Sequence, residues 1–236
     1  MEFRILGPVE VRRDGAQPGP LRRKPSQVLA VLAAHCGRPV PVDRLLDLVW
    51  GDDLPPRARK SLQVHVSALR GAGVPVTHQD AGYVLRAEPD QVDALRFRDL
   101  TARAARTDDL EHRRDLYTRA LALWRGTPLA GAASEPLRAW LCAPLEAHHL
   151  ATLEAAIDTD LALGRHAQAA EALTPLVAEH PFSENLRYQL MTALLACGRR
   201  TEALRVFQDV RRTLADELGV PPGPQLRELY RDALGV

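Results

Sequence analysis

Between residues 56 and 70 the chain reads PRARKSLQVHVSALR, and its apolar positions fall on one stripe. Leu62, Val66 and Leu69 recur at i, i+4 and i+7, the spacing that lines one face of a helix. Arg57, Lys60, Gln63, Val64 and Ser67 lie roughly opposite. That outer face holds two cations, an amide, a hydroxyl and an aliphatic group. These are types that contact phosphates, an adenine edge and a thymine methyl. Any amphipathic surface helix also turns a polar face outward, so the surroundings decide between the two readings.

Upstream, residues 2–6 (EFRIL) and 9–13 (VEVRR) read as short strands separated by Gly7-Pro8. Asp14-Gly15 gives a hairpin signal after the second, and a short strand is expected near Leu21. A first helix is expected over 25–36, with Pro25 in its first turn and Val28, Leu29, Leu32 and Cys36 as its stripe. Residues 39–41 (PVP) are extended, and a second helix follows Asp43 through Trp50. Gly71 and Gly73 stop the third helix. Residues 74–78 and 82–86 read as strands joined by Gln79-Asp80-Ala81-Gly82. Strand pair, three helices and terminal hairpin is the order of a winged helix. Its third helix enters the major groove, with the turn at 80–82 as the wing.

After a linker at 87–94 the pattern is helical throughout. Helices are expected near 94–106, 109–124, 134–163, 166–179, 184–197, 200–217 and 223–234, with Pro144 kinking or splitting the long one. Gly164-Arg165 recurs 34 residues on as Gly198-Arg199. Gln168-Ala169 corresponds to Glu202-Ala203, and Leu173 to Phe207. Thirty-four residues is the tetratricopeptide period. The stretch containing Leu116, Leu121 and Trp124 reads as a degenerate earlier unit. The expected fold is an α+β winged helix-turn-helix domain over 1–88, then an all-α tetratricopeptide-like domain over 92–236.

Charge sharpens this division. Residues 1–86 hold 13 Lys+Arg and 8 Asp+Glu, a net of +5. The rest hold 18 and 22, a net of −4, within a whole-chain +1. A basic head on an acidic body suits a nucleic-acid-binding module joined to a part that does not bind nucleic acid. No run of eighteen apolar residues suggests a membrane span, and no signal-peptide pattern appears, so a cytoplasmic protein is expected. Cys36, Cys142 and Cys197 are few and scattered, as expected of cysteines buried as small hydrophobes.

These segments resemble a known family. VDRLLDLVWGDDLPP (42–56), ARKSLQVHVSALR (58–70), GYVL (82–85), VDALRF (92–97), LWRGTPL (123–129) and the long run at 180–226 are similar to the small antibiotic regulatory proteins of actinobacteria. Those proteins join an OmpR-type winged helix, also the output domain of two-component systems, to a bacterial transcriptional activation domain. The resemblance implies a transcription activator, often of an antibiotic or other secondary-metabolite cluster. It would bind direct repeats in double-stranded promoter DNA as head-to-tail protomers and recruit RNA polymerase with its sigma factor. It also implies base reading by Arg57, Lys60, Gln63, Val64 and Ser67, with Arg70 near phosphate and the wing segment 80–83 near the minor groove. Three positions depart from the pattern. Ala68 and Gly71 stand where relatives usually carry arginine, and Asp80 places an acid in the wing. Fewer cations imply a shallower salt dependence. Larger members add ATPase or sensor domains, so the chain reads as the minimal form or a fragment of a longer one.

Arg22, Arg23 and Lys24 are further backbone candidates, as are Arg59, His78 and Tyr83. Arg59 could pair with an acid instead, and Tyr83 could be a packing residue. Trp50 and Trp124 read as core, and Trp140 as core or an inter-domain contact. Adjacent His148 and His149 diverge by about 100° on a helix, so a metal site is not expected, and no cofactor is. No GxxxxGK[ST] loop or paired nucleophile and base points to an enzyme. The rival reading is a tetratricopeptide adaptor or effector sensor, with a vestigial head that binds protein.

Overall fold

The computed structural model describes residues 1–13 and 21–235. The hairpin signal at Asp14-Gly15 lies outside them, and Leu21 is not in a strand. By contacts the chain forms two compact units. One takes in Met1–Arg106 and Leu116–Thr152, the other Thr107–Asp115 and Leu153 onward. Among the described residues, no helix is long and apolar enough to cross a membrane.

The first unit opens with β1 (Glu2–Arg4) antiparallel to β2 (Glu10–Arg12), with Phe3 opposite Val11. Helix α1 (Arg23–Ala34) begins two residues earlier than expected and is buried continuously from Pro25 to Ala33. A helix apolar around its circumference is a core element. Next come β3 (Val40–Pro41), α2 (Val42–Trp50), α3 (Ala58–Gly71), β4 (Val76–Gln79) and β5 (Gly82–Leu85). The extended PVP segment thus supplies a strand, and the sheet order is β3-β5-β4. Leu62, Val66 and Leu69 are the buried residues of α3, as their spacing predicts.

The sheet needs Gly82. A Cβ there would stand 2.1 Å from the Val40 carbonyl oxygen, inside any allowed contact. Asp80, in the two-residue turn between β4 and β5, adopts φ 52°, a left-handed conformation that Asp tolerates better than most residues.

Helices α4 (Asp93–Ala104), α5 (Leu110–Leu121), the one-turn α6 (Glu135–Leu137) and α7 (Ala143–Ala162) follow. The long expected helix at 134–163 is divided by a five-residue π-turn over Arg138–Cys142, just before Pro144. Within the first unit these segments clamp the head. Asp93, 4% exposed, accepts the backbone N–H groups of Ile5 and Leu6 at 2.9–3.0 Å. The Arg125 N–H donates to the Leu6 carbonyl at 2.9 Å. The Gln27 amide donates to the Ala132 carbonyl, and Ser134 donates to that of Leu48. Each bond satisfies a buried polar group that would otherwise cost about 1–3 kcal/mol. Trp124, expected in the core, is half-buried. It stacks on His149 at 4.0 Å and meets Phe97 edge-on.

The second unit contains α8 (His166–Glu179), α9 (Glu184–Ala196), α10 (Arg200–Leu218) and α11 (Pro224–Leu234). The 34-residue repeat extends to the backbone. Gly164 and Gly198 take φ 75° and 73°. Arg165 N–H bonds to the Asp160 carbonyl, and Arg199 N–H to that of Leu194. Both are the six-to-one closure of a glycine-ended helix. Ala169 and Ala203 are buried with Leu173 and Phe207, so small residues admit close helix approach while large ones fill the space between. The architecture is an N-terminal winged-helix domain followed by an all-α tetratricopeptide-like domain.

The cysteines divide. Cys142 is buried, with its thiol pushed up to about 11 by burial. Cys36 is half-buried, but Cys197 is exposed, contrary to the expectation of burial. It follows α9 directly, where the helix end meets solvent.

Candidate nucleic-acid interface

Helix α3 is fixed by its inner face, and its outer face stays open. Lys60, Gln63, Val64 and Ser67 are all exposed, with Val64 at 60%. An aliphatic side chain that open has no packing role. Arg57 is the N-cap residue, one position outside the helix, and is also exposed. Among the described residues, no hydrogen bond or ion pair occupies the polar members of this row. Five unengaged side chains on a rigid element are a surface available to a ligand.

The surrounding cations behave differently. Arg59 pairs with Asp43 at 2.7 Å, both side chains well exposed. The Arg70 Nε donates to the Val76 carbonyl at 2.7 Å, tying the end of α3 to the first wing strand. Lys24 donates to the Val49 carbonyl at 2.6 Å and lies 5.0 Å from the centre of the Trp50 ring. It therefore satisfies the end of α2, where a cation suits the helix dipole. Burial, then the neighbouring Arg23, hold its amine below the usual range. Arg23 Nε donates to the Ala132 carbonyl at 3.2 Å, so among the described residues Arg22, exposed ahead of α1, is the one of the three whose side chain has no partner.

Tyr83 is a packing residue of the sheet. It is 6% exposed, pairs with Val40 in β3 and meets the exposed His78 ring edge-on at 5.3 Å. All four residues of β5, the central strand of its sheet, are buried.

The residues that hold this surface in place carried little sequence signal. His65, on α3, stacks on Trp50 at 5.7 Å. Burial, then Lys24, push its imidazole below the usual range. Trp50 was expected in the core and is half-buried. Trp140 stacks on His35 at 5.1 Å, with the Arg44 guanidinium 5.6 Å from its centre. His148 and His149 are packing residues. His148 lies against Phe97 and Thr101, and His149 on Trp124. Among the described residues, no group of three His, Cys, Asp or Glu side chains is placed to hold a metal ion.

Known proteins share both halves of this arrangement. The family described as "Bacterial transcriptional activator domain" matches residues 92–234, and "Transcriptional regulatory protein, C terminal" matches residues 16–85. The chain is 36% identical to the regulatory protein DnrI of Streptomyces peucetius, over 99% of this chain and 92% of that protein. It is 39% identical to the regulatory protein AfsR of Streptomyces coelicolor, over 99% of this chain but 24% of that longer protein. Among solved structures, Mycobacterium tuberculosis EmbR in complex with a low affinity phosphopeptide is similar. Its TM-score is 0.85 at 33% identity, over 99% of this chain and 65% of that one.

Proposed function

Because the chain belongs to the small antibiotic regulatory protein family of actinobacterial regulators, we propose that it activates transcription by binding promoter DNA through α3. Its family and fold are those of DNA-binding transcriptional activators. The observation that carries the reading is the open row Arg57, Lys60, Gln63, Val64 and Ser67 on a helix anchored by Leu62, Val66 and Leu69. Lys60 and Arg57 meet phosphate or a guanine edge, Gln63 an adenine edge, and Val64 a thymine methyl. Arg22 meets the backbone. Arg70 sets the angle between α3 and the wing, with the rest of its guanidinium directed to phosphate. The wing, with Asp80 at its tip, adds little attraction.

Binding to direct repeats places protomers head to tail, and the helical domain recruits RNA polymerase with its sigma factor. The target is a secondary-metabolite cluster, and the protein works in the cytoplasm. A mobility-shift assay on the intergenic DNA beside its own gene tests this at low salt. A shift that Lys60→Ala plus Gln63→Ala abolishes, with parallel loss of reporter output, supports it. No shift on any such DNA, together with an unchanged reporter, removes it.

A further inference from the structure

Within the second unit, a groove of about 850 Å³ opens between α10 and α11 beside the loop 219–223. That volume lies in the range of small-molecule sites, roughly 300–1,000 Å³. Its floor is aromatic. Phe207 and Tyr230 stack 4.0 Å apart and 12° from parallel, and the Gln208 amide donates to the Tyr230 hydroxyl at 2.7 Å. One wall is Pro221, Pro222 and Pro224. Proline has a locked φ and no N–H, so this wall is preformed and apolar. Val220 stays 46% exposed at the mouth.

The rim has the opposite character. Arg211 on α10 and Arg227 and Arg231 on α11 face the groove, against one acid, Glu228. Among the described residues, none of these arginines has a side-chain hydrogen bond or ion pair. Arg165 and Arg199 in the same unit, by contrast, pair with Glu111 and Glu202 at 2.7 Å. Unengaged guanidinium forks match a carboxylate with two parallel hydrogen bonds. An extended peptide would need acceptors for its own N–H groups, and this rim offers donors with one acceptor.

We propose that the groove binds a small organic acid: a flat apolar body over Phe207 and Tyr230, its carboxylate held by Arg227 and Arg231. The groove shares no residue with the outer row of α3, and its test does not use DNA. The full chain is titrated with anilinonaphthalene sulfonate and with its uncharged counterpart, phenylnaphthylamine. Naphthoate serves as the competitor. Saturable one-site binding of the sulfonate dye, displaced by naphthoate, is expected. Arg227→Ala with Arg231→Ala weakens the sulfonate dye roughly tenfold and leaves the uncharged dye unchanged. Ala215→Trp fills the groove and weakens both dyes with the arginines intact. Circular dichroism and the unfolding midpoint establish that the variants fold. Non-saturable dye binding, equal affinity in the double-arginine variant, or displacement by an acidic amphipathic peptide but not by naphthoate would overturn the proposal.

Discussion

Trp140 lies over His35, ring centroids 5.1 Å apart and planes within 9° of parallel. The π-turn after α6 is thereby stacked on the end of α1, and Arg44 of α2 reaches the same indole. Aromatic pairs contribute about 0.5–1.5 kcal/mol beyond their buried area. Trp140→Ala is expected to destabilise the protein by about 2 kcal/mol, read from the denaturant midpoint. An unchanged midpoint would show the stack to be incidental.

His65 and His148 give the fold a defined response to acid. Burial, aided by Lys24 and Arg98 respectively, holds both imidazoles below their ordinary 6.5. Above that pH both are neutral, folded or unfolded, and their contribution is fully present. As pH falls below 6.5 the unfolded chain takes up protons first, so stability declines until the folded-state values are passed. Thermal melts between pH 7.5 and 5 are expected to show this loss, and His148→Gln is expected to flatten it. A variant with the wild-type slope would exclude His148 as a source.

Gly82→Ala is expected to cost more than about 2 kcal/mol, because its Cβ meets the Val40 carbonyl of a neighbouring strand rather than a side chain that can move. Differential scanning calorimetry measures the loss. A stability within a few tenths of wild type would mean that β3 can shift away from β5 at little cost.

Asp43→Ala releases Arg59 from its exposed partner and removes an acid near α3. The pair itself contributes about 0–1 kcal/mol, so the fold is expected to persist. DNA affinity is expected to rise at low salt, and the slope of log K against log salt to steepen by about 0.9, the release from one added phosphate contact. Anisotropy titrations across salt concentrations measure the slope; an unchanged one would place Arg59 away from the DNA.

The local elements were legible, and the long-range ties were not. Leu62, Val66 and Leu69 announce α3, and Gly164-Arg165 with Gly198-Arg199 announces the helical repeat, because each pattern is periodic or local. Asp93 is by type an ordinary first-turn acid of α4, yet it accepts the Ile5 and Leu6 backbone N–H groups. Gln27 and Ser134 have no periodic signature at all, because their partners lie 105 and 86 residues away. The same limit applied to the candidate site. Residue type marked Arg59, Arg70 and Lys24 as cations for DNA, whereas Asp43, Val76 and Val49 engage them within the chain. The outer row of α3 was readable because helical geometry alone sets which way it points.

The central claim is that this row reads sequence, and equilibrium anisotropy on two duplexes tests it most directly. Wild type and Gln63→Ala plus Val64→Ala are titrated against the intergenic promoter duplex and a scrambled duplex of equal length at one salt concentration. Wild type is expected to favour the promoter. The double variant is expected to lose about 1–3 kcal/mol of that preference per contact removed, with affinity for the scrambled duplex and circular dichroism unchanged. A double variant that keeps the full wild-type preference would contradict the assignment of α3 as the reading helix.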